Sequence, residues 1–258
     1  MDIVVCVKQV PDTWAEKKLD PTDRTLDRGA DSVMNELDEY AVEESLRLKE
    51  AHGGEVTVLT MGPEPAAETI RKALSMGADK AVHLSDPALH GSDAIQTSYA
   101  LAKVLGTLAF DLVVLGAEST DARMSVLAPM LAERLGLPQL SLARKVEVDG
   151  TAVRIERQTD AGYDVVEATL PAVVSVVEKI NEPRYPSFKG IMAAKKKPLT
   201  TLTIADAGID PAAVGLANAT SRVADFATRS LRAGGTIVED DGTGGAQLAG
   251  FLAAQKFI

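Results

Sequence analysis

Three short apolar runs constrain this chain more than any other feature: DIVVCVK (2–8), EVTVLTM (55–61) and DLVVLG (111–116). They are rich in β-branched residues and too short for buried helices. They also show little of the polar alternation of a half-exposed strand, so they read as strands covered on both faces. Between them the apolar spacing turns helical. Asn35 precedes a helix with Leu37, Tyr40, Ala41 and Leu48 on one face, stopped by Gly53-Gly54. Asn35 with Asp38 three residues on has the look of a capping pair. A second helix is expected over 64–76, with Ala67, Ile70 and Leu74 inward. A third spans 93–108 with Ile95, Tyr99, Ala102 and Leu105 inward, and a fourth runs from about 123 to 135. With a further strand at 80–84, the alternation predicts an α/β fold: a doubly wound, mostly parallel, Rossmann-like sheet.

After Pro138 the texture changes. Residues 143–148, 153–158 and 165–169 read as antiparallel strands joined by turns at Asp149-Gly150 and 160–162. The run 171–177 is another buried strand, and 181–200 reads as a loop. Beyond about residue 200 only short, weakly periodic pieces remain, ending in a helical stretch over 244–255. The expected organisation is therefore an α/β domain over 1–200 and a C-terminal arm over 201–258 that cannot bury a core alone and packs on something else.

Charge and composition exclude several functions. The net charge is −10, whereas a duplex-binding surface needs a basic footprint. The single cysteine, Cys6, leaves no internal disulfide and no multi-cysteine metal site, and its apolar surroundings suggest a buried thiol. His52, His83 and His90 lack metal-ligand spacing. No nucleophile elbow, P-loop or glycine-rich dinucleotide fingerprint occurs. No apolar run is long enough to span a bilayer and no basic leader is visible, so the expectation is a soluble, cytoplasmic protein without catalytic residues of its own. Glu43 and Glu44 with Arg47 and Lys49 look like surface pairs on a helix.

Ligands of open α/β sheets bind beyond the carboxyl ends of the strands, where strand order reverses. Here those ends are 8–12, 61–63 and 116–125. The last is the most suggestive: Gly116 ends a strand, Ser119, Thr120 and Asp121 can cap, and Arg123 and Ser125 are expected in the first turn of the next helix. Such a turn can hold an anion. A second candidate, NEPRYPSFKGIMAAKKK (181–197), is basic in an acidic protein and carries Tyr185, Phe188, Ile191 and Met192. Those groups either fold back on the core or anchor a partner.

Six stretches together resemble the beta subunit of electron-transfer flavoproteins: VVCVKQVPD near the start, MNELDEYAVEESLRLKE (34–50), MGPEPAAETIRKALSMGAD (61–79), DLVVLGAESTD (111–121), VRIERQTDAGYDVVEATLPAVVSV (153–176) and NEPRYPSFKGIMAAKKKP (181–198). The resemblance covers essentially the whole chain, and its last two stretches are the most specific. It implies a heterodimer in which an alpha subunit holds most of a redox-active FAD. Electrons would pass from acyl-CoA and related dehydrogenases, as in fatty-acid oxidation, to a membrane quinone oxidoreductase. The beta subunit would bury a structural AMP. That pocket maps onto Cys6, Asn35, Glu36, Leu37, Asp38, Met61, Gly116, Ser119, Thr120, Asp121, Arg123, Met124, Ser125, Val126 and Leu127. The partner-docking segment maps onto Arg184, Tyr185, Phe188, Ile191, Met192, Lys195, Lys196 and Lys197, with Phe188 as the apolar anchor. The phosphate loop departs from the polar family pattern: DARMSVLAP places Ala122, Met124, Val126 and Leu127 where many relatives carry polar residues. Two alternatives accompany this reading. One is a bifurcating flavoprotein with a second FAD in place of AMP and NADH as donor. The other is a stand-alone adenine-nucleotide sensor.

Overall fold

A computed structural model describes residues 1–227 and 234–258. In chain order the elements are β1 (Ile3–Cys6), β2 (Gln9–Pro11), β3 (Ser32–Met34), α1 (Glu36–His52), β4 (Val56–Met61), α2 (Ala67–Met76), β5 (Lys80–Leu84), α3 (Ala94–Leu105), β6 (Leu112–Gly116), α4 (Leu127–Leu135), β7 (Gln139–Asp149), β8 (Ala152–Thr159), β9 (Gly162–Thr169), β10 (Ala172–Val176), α5 (Phe188–Ala194), β11 (Leu199–Leu202) and α6 (Gly244–Ala254). Nine strands form one sheet in the order β11-β5-β4-β1-β6-β10-β7-β8-β9, parallel as far as β7 and antiparallel beyond it. The doubly wound sheet with an antiparallel extension is thus present as the apolar runs predict.

β1 sits at the centre of the parallel part, and the reason is its composition. Each of its residues is buried, and alternate side chains serve opposite faces. Ile3 and Val5 join the core beneath α1 and α2, with Val42, Leu46, Ile70 and Leu74. Val4 and Cys6 join the core beneath α3 and α4, with Leu101, Leu105 and Leu131. Fully burying one such aliphatic side chain stabilises the fold by about 1.5–3 kcal/mol. The chain runs β1→β4→β5 on one side of β1 and resumes with β6 on the other. The switch point therefore lies at the carboxyl ends of β1 and β6.

Several local expectations are corrected. The face of α3 is turned in part from the predicted one: Leu105 is buried and Tyr99 and Ala102 pack half-buried against the core as expected, but Ala100, Leu101 and Val104 are buried and Ile95 is 45% exposed. Two polar side chains fix that orientation. Asp93 caps the helix on the Gln96 amide, and Gln96 is buried because it also donates to the Gly215 carbonyl. On α1, Glu43 and Glu44 are buried, and of the expected pairs Glu44–Arg47 forms, at 3.7 Å. Glu43 holds Arg184, Asn181 donates to Glu44, and Lys49 bonds Asp79 instead. The segment 181–200 is not simply a loop, since it contains α5 and the start of the edge strand β11. α5 approaches α2 so closely that a Cβ at Gly190 would lie 2.5 Å from the Ser75 carbonyl.

The chain divides into two compact units, 1–224 and 225–258. The boundary expected at residue 200 lies within the first of these units. In the first unit, Ile204, Ala207, Ile209 and Val214 are buried in the core beneath α3. In the second unit, α6 is apolar in composition yet buries none of its residues.

Candidate functional site

The switch-point rim is tied together by two side chains that sequence pattern alone would assign to helix capping. Asn35 makes no side-chain cap. Its amide nitrogen donates to the Glu118 carbonyl at 2.9 Å, and its oxygen accepts the Thr120 N–H at 3.0 Å. Asp38 likewise leaves α1 for the strand ends. One carboxylate oxygen accepts the Lys8 N–H at 2.8 Å and the other the Gly116 N–H at 3.2 Å. Asp38 thus joins the ends of β1 and β6, and Asn35 fixes the loop that follows β6. Gly116 is required by this contact: a Cβ there would stand 2.5 Å from the Asp38 carboxylate.

Burial of Asp38 pushes its carboxyl up to about 7, against the opposing pull of the hydrogen bonds it accepts. Burial, and then the Asp38 charge, push the neighbouring Cys6 thiol up to about 12. Cys6 is therefore a protonated core thiol and not a nucleophile.

Beyond Gly116 the structure corrects a second expectation. α4 begins at Leu127, so Arg123 and Ser125 lie in the preceding loop and not in the helix's first turn. Both have left-handed backbone, with φ of 49° and 53°. Non-glycine residues rarely adopt this conformation, and its cost of about 1–3 kcal/mol each marks a functional candidate. Among the described residues, no acceptor meets the amide N–H of Met124, Ser125, Val126, Leu127 or Ala128. Left-handed Ser125 followed by right-handed Val126 is the kind of backbone pairing from which anion nests are built. Pro129 has no N–H to add, so the donors end at Ala128.

The charges around this loop are paired. Lys8 Nζ reaches Asp121 at 2.7 Å and Ser119 at 3.3 Å. Lys8 keeps the Asp121 carboxyl below its usual range, against burial. Glu118 accepts from Arg123 at 3.3 Å and from Ser125 at 3.1 Å. Thr120 is 8% exposed, and its hydroxyl is buried without a partner. A row of free N–H groups and an orphaned hydroxyl fit a phosphorylated small molecule better than they fit a finished loop.

The predicted residues do not all converge. Asn35, Asp38, Gly116, Ser119, Thr120 and Asp121 meet directly, and Met61 packs in the core that contains Cys6. Leu37 is half-buried against Gly116, and Met124 is exposed. Glu36 points away and accepts from Thr13. Lys8 and Glu118 lie within the strand-end segments that the sequence marks, but neither side chain is singled out there as part of the site. Both flank strand ends, but their partners lie on loops whose course no periodicity reveals.

The second candidate region is built differently. Tyr185 and Phe188 are 96% and 81% exposed, and Ile191 and Met192 are half-exposed on α5. Ser187 caps α5 on the Gly190 N–H. A hollow of about 510 Å³ lies beside them, lined by Pro186 and Ile191 with Lys72 and Lys195 at its edge. Lys195 and Lys196 are exposed. Arg184 and Lys197 are not free docking charges. Arg184 makes a two-pronged bond to Glu43 at 2.7 and 3.0 Å and reaches Glu50 at 2.6 Å. Lys197 turns inward to the Leu74 carbonyl at 2.9 Å and to that of Ala78, at the end of α2.

Among the described residues no helix is long and apolar enough to cross a membrane. No cluster of His, Cys, Asp and Glu among them could hold a metal ion. The family profile of the electron transfer flavoprotein domain matches residues 24–207. The electron transfer flavoprotein subunit beta of Mycobacterium tuberculosis H37Rv is 55% identical over 264 aligned positions, covering 100% of this chain and 99% of the relative. That of Megasphaera elsdenii is 39% identical, covering 100% of both chains. The caffeyl-CoA reductase-Etf complex subunit CarD of Acetobacterium woodii is 36% identical, covering 99% of this chain and 97% of the relative. A profile match over most of the chain and full-length relatives at these identities lead to one conclusion: the chain belongs to the electron transfer flavoprotein family, among its beta subunits.

Proposed function

We propose that this chain is the nucleotide-stabilised half of a heterodimeric electron carrier. It binds AMP at the switch point and completes the FAD site of an alpha subunit. It docks acyl-CoA-type dehydrogenases, whose electrons pass through FAD to a membrane quinone oxidoreductase. The observation that carries the nucleotide assignment is the row of free N–H groups from Met124 to Ala128, bounded by left-handed Arg123 and Ser125. Amide donors in such a nest favour a phosphate without requiring a free lysine.

The residues divide the work. The amides of 124–128 hold the phosphate, with Arg123 and Ser125 at its edge. Thr120 offers its unpartnered hydroxyl, and Asn35 and Asp38 keep the loop in place. AMP itself supplies a fixed anion and an adenine plane, and the redox chemistry belongs to the FAD held mainly by the alpha subunit. The apolar helix α6, which buries none of its residues, supports a role for the C-terminal arm in packing on that subunit.

A second reading places FAD in the β pocket in place of AMP, as in a bifurcating flavoprotein. The relative that belongs to a caffeyl-CoA reductase-Etf complex favours it. One experiment decides: co-purify the complex, measure its native mass, denature it and quantify the released nucleotides. One FAD and one AMP per heterodimer is the expected result. Two FAD and no AMP would establish the second reading. A stable self-associating chain with no partner would point to a nucleotide sensor instead.

A further inference from the structure

We propose that Glu118 gates the phosphate nest by competing with the ligand for Arg123 and Ser125. The inference rests on the adenylate reading of this site and assigns a residue that the reading itself does not use.

The argument begins with the pinning of residue 118. Its carbonyl accepts from Asn35, and two residues on, the Thr120 N–H bonds the same side chain. The backbone is thereby fixed, and only side-chain rotation moves the carboxylate. That carboxylate spans the loop, with one oxygen on Arg123 and the other on Ser125. These are the two left-handed residues that shape the nest. Glu118 therefore occupies the Arg123 and Ser125 side-chain donors at the edge of the nest.

Charge points the same way. Among the described residues, the two cations whose side chains touch this loop are Lys8 and Arg123, and each is paired with a carboxylate. Asp121 is held fast, since its side chain is 2% exposed. The Glu118–Arg123 pair is looser, with side chains 27% and 69% exposed and a separation of 3.3 Å. An exposed ion pair of this kind is weakly held. An arriving phosphate dianion can displace the Glu118 carboxylate from Arg123, whereas it cannot displace Asp121 from Lys8 without baring a buried carboxylate. The gate sets a threshold: adenosine without a phosphate has nothing with which to open it.

The test is AMP binding to nucleotide-stripped full-length chain by titration calorimetry, with Glu118→Gln, Arg123→Met and the double variant. Glu118→Gln removes the charge and keeps the shape and the backbone carbonyl. It should tighten AMP binding about three- to tenfold, because a like charge beside the phosphate is gone and Arg123 is released. Arg123→Met should weaken AMP binding, and the gain from Glu118→Gln should shrink in that background. AMP binding by Glu118→Gln that is equal to or weaker than that of the unchanged chain overturns the gate. Weaker binding would mean that Glu118 instead accepts from the ligand. A lowered melting temperature of ligand-free Glu118→Gln would also overturn it, since the pair would then be structural. Absence of AMP binding in all four proteins would sink the adenylate reading together with the gate.

Discussion

The switch-point rim and the segment 181–197 solve opposite problems with the same kinds of residue. At the rim, polar side chains from α1 reach across to strand ends, and the loop they fix is left with unsatisfied amides. In 181–197, polar side chains also reach to helices, but what they leave exposed is apolar: Tyr185, Phe188, Ile191 and Met192. One region is held still to present donors and the other to present hydrophobic surface. In both, charged and polar residues that draw the eye in the sequence act as staples, and what the staples display is amide donors in one region and apolar side chains in the other.

Arg184 is the strongest test of that contrast, because sequence alone makes it a docking cation. Truncating it leaves Glu43, whose side chain is 7% exposed, without a counter-charge. Breaking a buried pair costs about 3–5 kcal/mol, and the partial exposure of Arg184 lowers this to about 2–3 kcal/mol. Arg184→Ala should therefore lower the melting temperature by about 5–10 °C, at a few degrees per kcal/mol for a domain of this size. A normal melting curve with slowed electron transfer would return Arg184 to the docking surface.

Phe188 should behave in the opposite way. Its ring is 81% exposed, so truncation removes no core contact. Filling a partner's pocket with a phenylalanine is worth about 2–3 kcal/mol. Phe188→Ala should thus slow transfer from an acyl-CoA-type dehydrogenase about ten- to hundred-fold, with FAD content, AMP content and melting temperature unchanged. Unaltered transfer would remove Phe188 from the docking surface.

The rim also predicts a pH dependence of stability between about pH 4 and 7. Asp38 is raised to about 7 in the folded chain, mainly by burial. Its unfolded value is about 3.9. Between about pH 4 and 7 the folded state therefore keeps a proton that the unfolded state has released, so this group's contribution to stability falls as pH rises. The slope is at most about 1.4 kcal/mol per pH unit. The lowered carboxyls of Asp93 and Asp121 act the other way, with stability lost as pH falls below about 4. Asp38→Asn should flatten the slope between pH 4 and 7 in denaturant titrations. It should also cost about 1–3 kcal/mol, because one of the Lys8 and Gly116 N–H groups would face an amide donor. A slope that persists in Asp38→Asn would assign it to another group.

How much of this was legible in sequence follows from period. The strands buried on both faces, the helices between them and the antiparallel extension carry periodic signals, and those elements are where the runs predict them. The start of α4 was not legible. ESTDARMSV contains good capping residues, but its left-handed positions are ordinary L-residues, which no glycine announces. Asn35 and Asp38 look like a cap in the sequence because capping is the commonest use of such residues before a helix. Their true partners, Glu118, Thr120, Lys8 and Gly116, are distant in sequence. The face of α3 turns in part from its apolar pattern for the same reason, since burial of Gln96 depends on Gly215.

The smallest effect separates the lysines, which sequence groups as one cationic run. Lys195 and Lys196 are exposed. Charges at the rim of an interface act chiefly on the association rate and on its salt dependence. Replacing both with Gln should slow transfer by about two- to threefold at low salt, with little change at high salt, where charges beyond about one Debye length are screened. Lys197 should leave the salt dependence unchanged. Its ammonium donates to the Leu74 and Ala78 carbonyls, and burial lowers its pKa. A cation there complements the carboxyl end of α2, a stabilisation of about 0.3–1 kcal/mol. Lys197→Gln should therefore lower the melting temperature slightly and leave the transfer rate alone. Rates measured across a salt series, beside melting curves, read both effects. If Lys197→Gln flattened the salt dependence as much as the double replacement, its ammonium would belong to the displayed surface, and the division between staple and display would fail where the two kinds of residue adjoin.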